Sequence, residues 1–250
     1  MLMRKSTFSF LTVIILVSFS LLQSCKDDSY LLVKPAVPDQ SFSEEFDTAS
    51  AALARGWHFI NKSDPIGSDV WQQGGGLPPW FQPYSNNGSF VGFVGADYTS
   101  TSAAAGIISN WLVSPPVTLQ NGDRIIFYTR GLLYYSGAGT DSTDYGNRLQ
   151  VSINQYNDYL TVGDGEDPGD FKNVLVDINS NYEFFHTDPN QYSPTAYPSN
   201  WTRFEATVSG LNEPVKGRFA FRYFVEGAGF NGLASGVAID KVSYISVNHH

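Results

Sequence analysis

Asp240 is the acid whose setting the sequence constrains most, because it stands inside the apolar run of residues 237–247. Val242 and Tyr244 are the natural inward residues of a final strand. A period of two puts Asp240 on their face unless a bulge intervenes. A buried carboxylate must be paired or must coordinate a cation. If the first and last strands lie together, Glu44, Glu45 or Asp47 can face it, and Glu44, between Phe42 and Phe46, is the first choice. Oxygen donors alone suit Ca²⁺ rather than a transition metal. The competing readings are an ion pair to Arg218 or Arg222, or a bulge that exposes Asp240. A second acidic group, Asp164, Glu166, Asp167 and Asp170, lacks the spacing of an EF-hand loop and is interrupted by Pro168. It reads as a solvated turn.

Signals for catalysis are few. No serine stands in a Gly-x-Ser-x-Gly elbow, and no histidine pair has zinc spacing. His58 lies in an apolar run and His186 follows two phenylalanines, the settings of packing or surface residues. The reading is a protein without catalytic residues. Recognition has better candidates in the aromatics. Trp80, Phe81 and Tyr84 stand on a Gly/Pro-rich loop, and Tyr134, Tyr135 and Tyr145 on a second loop rich in Gly, Ser, Asp and Tyr. Sugar rings offer apolar C–H faces that stack on flat side chains, while polar neighbours take the hydroxyls. The alternative is that these rings fold back over a sheet edge. Trp57, Trp71, Trp111 and Trp201 are assigned to the core.

The N-terminus is built for export. Arg4 and Lys5 precede an almost wholly apolar run over 8–22, which is shorter than the roughly 20 residues that a membrane span needs. It ends at Leu22-Gln23-Ser24-Cys25, which resembles a bacterial lipobox, and Cys25 is the single cysteine of the chain. Residues 1–24 are therefore expected to be a signal peptide, 25–40 a lipidated cysteine and tether, and 41–250 one domain. With Cys25 lipidated there is no disulfide, and stability must come from burial. Lys26-Asp27-Asp28 resembles the signal that carries Bacteroidetes lipoproteins to the outer face of the outer membrane. The full chain has 24 acidic and 15 basic residues and a net charge of −9. That charge argues against nucleic acid and against adsorption on anionic lipid. Membrane contact falls to the acyl chains.

What must position these residues is β structure. In 124–130, Ile125, Phe127 and Thr129 share one face and Ile126, Tyr128 and Arg130 the other. Asn121-Gly122, before that run, signals a hairpin or tight turn after the strand run of 107–119. Residues 148–154 alternate with Leu149, Val151 and Ile153 inward, which predicts a sheet with one wet face. Phe219, Phe221, Tyr223 and Val225 form another inner row. A short Ala-rich helix is expected over 48–55, and further strands over 42–46, 56–60, 70–71, 89–94, 171–178, 201–208 and 237–247. The fold class is all-β, an antiparallel β-sandwich of jelly-roll type, in a single domain.

Phe46-Asp47, Gly56-Trp57, Trp71-Gln72, Gly88-Ser89-Phe90, the Ser109–Pro115 block SNWLVSP, Arg148–Ser152 and Ala238–Val242 occur in a familiar order. It resembles that of choice-of-anchor J domains, which are similar to the cleaved-adhesin domains of Bacteroidetes surface proteins and, more remotely, to MAM-type jelly rolls. The resemblance spans about 42–247. It implies a jelly-roll module for binding or adhesion on a cell-surface protein, often with a structural calcium. The partner expected here is a glycan or a surface or extracellular-matrix glycoprotein. The competing role is a protein-binding accessory subunit of an outer-membrane complex, and a hydrolase comes last.

Overall fold

The structure is a computed structural model that describes residues 36–85, 89–137 and 140–247. The anchor expected at Cys25 and the sorting residues after it lie outside the described residues. Among those described, no helix is long and apolar enough to cross a membrane.

Alternating apolar residues dictate strands, and the strands form two antiparallel sheets. The front sheet runs β12 (Thr202–Thr207), β7 (Arg124–Gly131), β14 (Gly236–Ile245), β4 (Val94–Asp97), β3 (Gln72–Gln73), and β1 (Phe42–Glu44) pairs with the far half of β14. The back sheet runs β11 (Asn173–Ile178), β10 (Leu149–Asn154), β13 (Val215–Ala228), β5 (Gly106–Val113), β2 (His58–Asn61), and β6 (Val117–Leu119) pairs with the start of β13. A small ribbon, β8 (Tyr134–Tyr135) with β9 (Ser142–Thr143), stands apart from both. Among the described residues the α-helix is α1 (Ala49–Ala54), whose first turn is capped by the Thr48 hydroxyl accepting from Ala51 N.

Between the sheets lie the rows read from the sequence. Ile125 and Phe127 face Leu149, Val151, Ile153, Phe219, Phe221 and Tyr223, all fully buried. Phe127 meets Phe221 edge-on at 4.9 Å, and Phe219 stacks on Tyr244 at 5.8 Å. Each such ring contributes about 1.5–3 kcal/mol by burial.

Several expectations change. Asn121-Gly122 does make a tight turn, with Asp123 N donating to Gln120 O at 3.1 Å and Gly122 at φ +94°. It is not a hairpin, because β6 before it joins the back sheet and β7 after it the front sheet. The run 89–94 is mostly irregular, and the strand there begins at Val94. The back sheet has no wet face at β10, where Gln150, Ser152 and Asn154 are buried along with the apolar row. Residues 160–171 fold over its outer side, where Trp111, Val113, Val162, Phe171 and Ala220 make a second small core. Arg222 fixes that cover by donating to the carbonyls of Gly165 and Asp167. Asp164, Glu166 and Asp167 are exposed and Asp170 is half-buried, and Asp164 pairs with Lys62 at 2.8 Å.

Candidate functional site: a tyrosine-lined cleft

Asp240 illustrates how the outer side of the front sheet is organised. The register of β14 against β7 shifts between Asp240 and Ser243, and Lys241 takes φ +47°. That bulge moves the inward phase from Val237 and Ile239 before it to Val242 and Tyr244 after it. Asp240 is therefore on the opposite face from Val242 and Tyr244, paired with Tyr128. It is nevertheless fully buried, because the loop 74–85 covers it. Its carboxylate accepts from Tyr84 N (2.8 Å), Ser85 N (2.9 Å), Ser85 Oγ (3.1 Å) and Lys241 N (2.6 Å). Burial raises its pKa to about 6 against the pull of these donors. The expected partnership with Glu44 does not form, nor do ion pairs with Arg218 or Arg222, which bind the backbone carbonyls of Asp158, Ser114 and Gly165.

Glu44 is buried and belongs to Arg55, whose Nε donates to Oε2 at 2.8 Å, while Phe46 N donates to Oε1 at 3.0 Å. Glu45 lies 3.8 Å from the Lys241 ammonium. Calcium fits here only in part. The oxygens of Asp240 and Glu44 are engaged by donors that ligation would have to displace. Glu45 Oε2 and Asp47 Oδ1 are buried without a hydrogen-bond partner, and these two oxygens suit a cation. Among the described residues, no three acidic, histidine or cysteine side chains gather as a metal site.

The first aromatic loop is consumed by the fold. Trp80 lies flat over Gly75, Gly95 and Gly236. A Cβ at Gly95 would come within 2.7 Å of its ring, so glycine is required for the seat. Phe81 stacks on buried Phe93 at 5.1 Å, and Trp201 meets both edge-on. Trp201 is thus not a core residue; it sits half-buried outside the front sheet and donates from Nε1 to Gln82 O at 2.9 Å. Tyr84 stacks on Tyr128 at 3.6 Å and stays 41% exposed.

The second loop does the opposite. Tyr134 and Tyr145 line a cleft of about 250 Å³ with Tyr98, Phe230, Gly229, Gly232 and Ala234. Tyr98 meets Tyr134 edge-on at 6.2 Å, and Phe230 is 65% exposed. Tyr135 is exposed on the same ribbon but does not line the cleft. Burial, with Asp97 and Tyr98 nearby, pushes the Tyr134 phenol up to about 12. It therefore stays a neutral hydroxyl that both donates and accepts. The lining holds no carboxylate and no imidazole, so it offers stacking faces and hydroxyls rather than an acid–base pair.

A buried polar hub holds this cleft in place. Asn147 Oδ1 accepts from Tyr223 OH (2.7 Å), Gly236 N (3.0 Å) and Ser235 N (3.1 Å), and its Nδ2 donates to Ser235 Oγ at 2.8 Å. Asp144, also fully buried, accepts from the backbone N–H groups of Gly146, Asn147 and Phe185. These contacts carry Tyr145 at φ +54°, and Tyr145 O receives Ala234 N at 2.8 Å. Tyr98 and Phe230 are site residues that the sequence pattern does not single out. Phe230, a lone ring in Gly-Ala-Gly-Phe-Asn-Gly, had a usable signal, since glycines flank both of the other aromatic loops.

No family model and no curated protein matches the sequence. Solved structures do. The K2 cleaved-adhesin domain of Lys-gingipain aligns at a TM-score of 0.50 and 15% identity, over 83% of this chain and 99% of that one. The K1 domain, from Porphyromonas gingivalis W83, aligns at 0.48 and 18%, over 83% and 99%. A family 11 carbohydrate-binding module from Clostridium thermocellum, in complex with a β-1,3-1,4-mixed-linked tetrasaccharide, gives 0.30 and 10%, over 87% and 94%. At such identities the likeness is one of fold, a cleaved-adhesin-like β-sandwich.

Proposed function

We propose that this chain is a non-catalytic glycan-binding module, carried on an exported lipoprotein at the cell surface, and that it holds a sugar residue in the tyrosine cleft. One observation carries the reading: Tyr98, Tyr134, Tyr145 and Phe230 converge on a cleft whose backbone is anchored by Asn147 and Asp144. Rings held open to solvent at low entropic cost suit stacking on sugar C–H faces, and the phenols can bond hydroxyls. A glycan array probed with the full chain tests this. Binding to a defined sugar class that falls at least about tenfold in Tyr134→Ala and in Phe230→Ala, with unfolding unchanged, supports it. Silence across the array from folded protein overturns it in favour of a protein partner. The anchor is tested by labelled fatty-acid incorporation, which Cys25→Ala should abolish. A structural Ca²⁺ at Glu45 and Asp47 would raise the melting temperature over that in chelator, and Asp47→Asn would remove the difference.

A further inference from the structure

Among the described residues, Arg130 is an arginine without an oxygen acceptor, in an acidic protein. It sits outward on β7, next to Thr129, which faces the core. Its guanidinium lies 3.9 Å over the Phe81 ring and 6.0 Å from that of Trp201. Its Nε is buried and has no hydrogen-bond partner. Every other arginine among the described residues has an oxygen acceptor. Arg55, Arg124, Arg148 and Arg203 meet carboxylates, while Arg218 and Arg222 meet carbonyls. With 24 acids against 15 bases in the chain, a lone half-buried cation runs against the general balance. Burial lowers the Arg130 pKa, yet a guanidinium keeps its charge in protein.

Beside it opens a groove of about 540 Å³, walled also by His186, Thr187, Tyr192, Ser199 and Asn200. That volume matches a sugar residue or two. Asp141, the partner of the groove residue His186, is already engaged. Its carboxylate accepts from His186 Nδ1 (2.8 Å), Thr187 Oγ1 (3.2 Å) and Asp188 N (3.0 Å), so it does not neutralise Arg130. The wall next to Arg130 is fixed, because Gly131 N donates to Pro198 O at 2.7 Å. Leu133 borders this groove and its neighbour Tyr134 the tyrosine cleft, so the β8–β9 ribbon stands between the two.

We propose that the Arg130 groove is an anion subsite that takes the oxyanion group, carboxylate or sulfate ester, of an acidic sugar residue. The planar face of the guanidinium is occupied by Phe81 and its Nε is buried, which leaves the two Nη groups for bidentate contact. Tyr192, 61% exposed, and the polar Ser199 and Asn200 then supply a ring face and hydroxyl partners. This extends the glycan reading to a second subsite with its own readout.

The test is a side-chain NMR titration of the full chain labelled with ¹⁵N-arginine, using galacturonate, galactose 6-sulfate and galactose as separate arms. The Arg130 Nε–H signal should move saturably with one or both acids and not with galactose; the two acid arms tell carboxylate from sulfate. Arg130→Gln should weaken the acid about tenfold or more, the loss expected for one charge-assisted pair. It should leave neutral-glycan binding in the tyrosine cleft unchanged. Should Arg130→Gln disturb the Phe81 stack, Tyr192→Ala tests the opposite wall and should weaken the same acid. An Nε–H signal unmoved by both acids, or acid affinities equal in wild type and both variants, overturns the subsite. Loss of neutral binding in Tyr134→Ala bears only on the first cleft, so the two readings fail separately.

Discussion

Two Gly-rich aromatic loops leave the front sheet with similar composition and opposite outcomes. In the loop 74–85 the rings are the fastening: Trp80 on its glycine seat, Phe81 on Phe93, Tyr84 on Tyr128. In the 132–145 segment the backbone neighbourhood is fastened instead, by Asp144 and Asn147, and Tyr134 and Tyr145 turn to the cleft. A ring that anchors its loop cannot also greet a ligand on that face. Recognition surfaces thus require polar anchoring behind them, and the second loop has it.

The sharpest way to break this contrast is Asn147→Ala. It leaves Ser235 N, Gly236 N and Tyr223 OH buried without their shared acceptor, at roughly 3–5 kcal/mol. Urea unfolding should record that loss, and glycan binding should vanish with it. Asp240→Ala comes next, at about 2–3 kcal/mol, because the N–H groups of Tyr84, Ser85 and Lys241 lose their acceptor. Limited proteolysis should then cut within 74–85, whereas binding in the tyrosine cleft should persist.

The same carboxylate has a pH signature. Its folded value of about 6 lies above the ordinary ~3.9 of aspartate, so between these values the fold holds the proton more tightly than the unfolded chain. Asp240 therefore adds stability as pH falls through 6 toward 4. The gap between wild type and Asp240→Ala in urea midpoint should widen from pH 7 to pH 4.5. Asp141 has the opposite sign. Held down to about 2 chiefly by His186, it contributes stability that is lost as pH falls from about 4 toward 2. The smallest effect expected is that of Tyr84→Ala. Removing a half-exposed stacked ring should cost about 1 kcal/mol and leave glycan binding unchanged, unlike Tyr134→Ala.

Much of this architecture is legible along the chain. The alternation sorts β7 correctly into two faces and names the inward rows of β10 and β13, since a strand's period of two is a local property. The short helix within 48–55 and the turn at Asn121-Gly122 are local as well. Tyr134 and Tyr145 could be singled out because exposed-type loops rich in glycine seldom hide every ring. Trp201 reads as a core residue but packs outside the front sheet, because a large ring reads as interior whether it lies between two sheets or outside one.

Other features were decided only by contacts between distant segments. Local pattern cannot say that β6 and β7, five residues apart, enter different sheets, because pairing is chosen by edges contributed from β13 and β14. Nor can it show that one bulge at Lys241 turns Asp240 outward and that a loop some 155 residues away then buries it. Periodicity along the chain determined which side chains face inward. Hydrogen bonds between remote segments, which no local period encodes, decided where the polar groups and exposed rings come together.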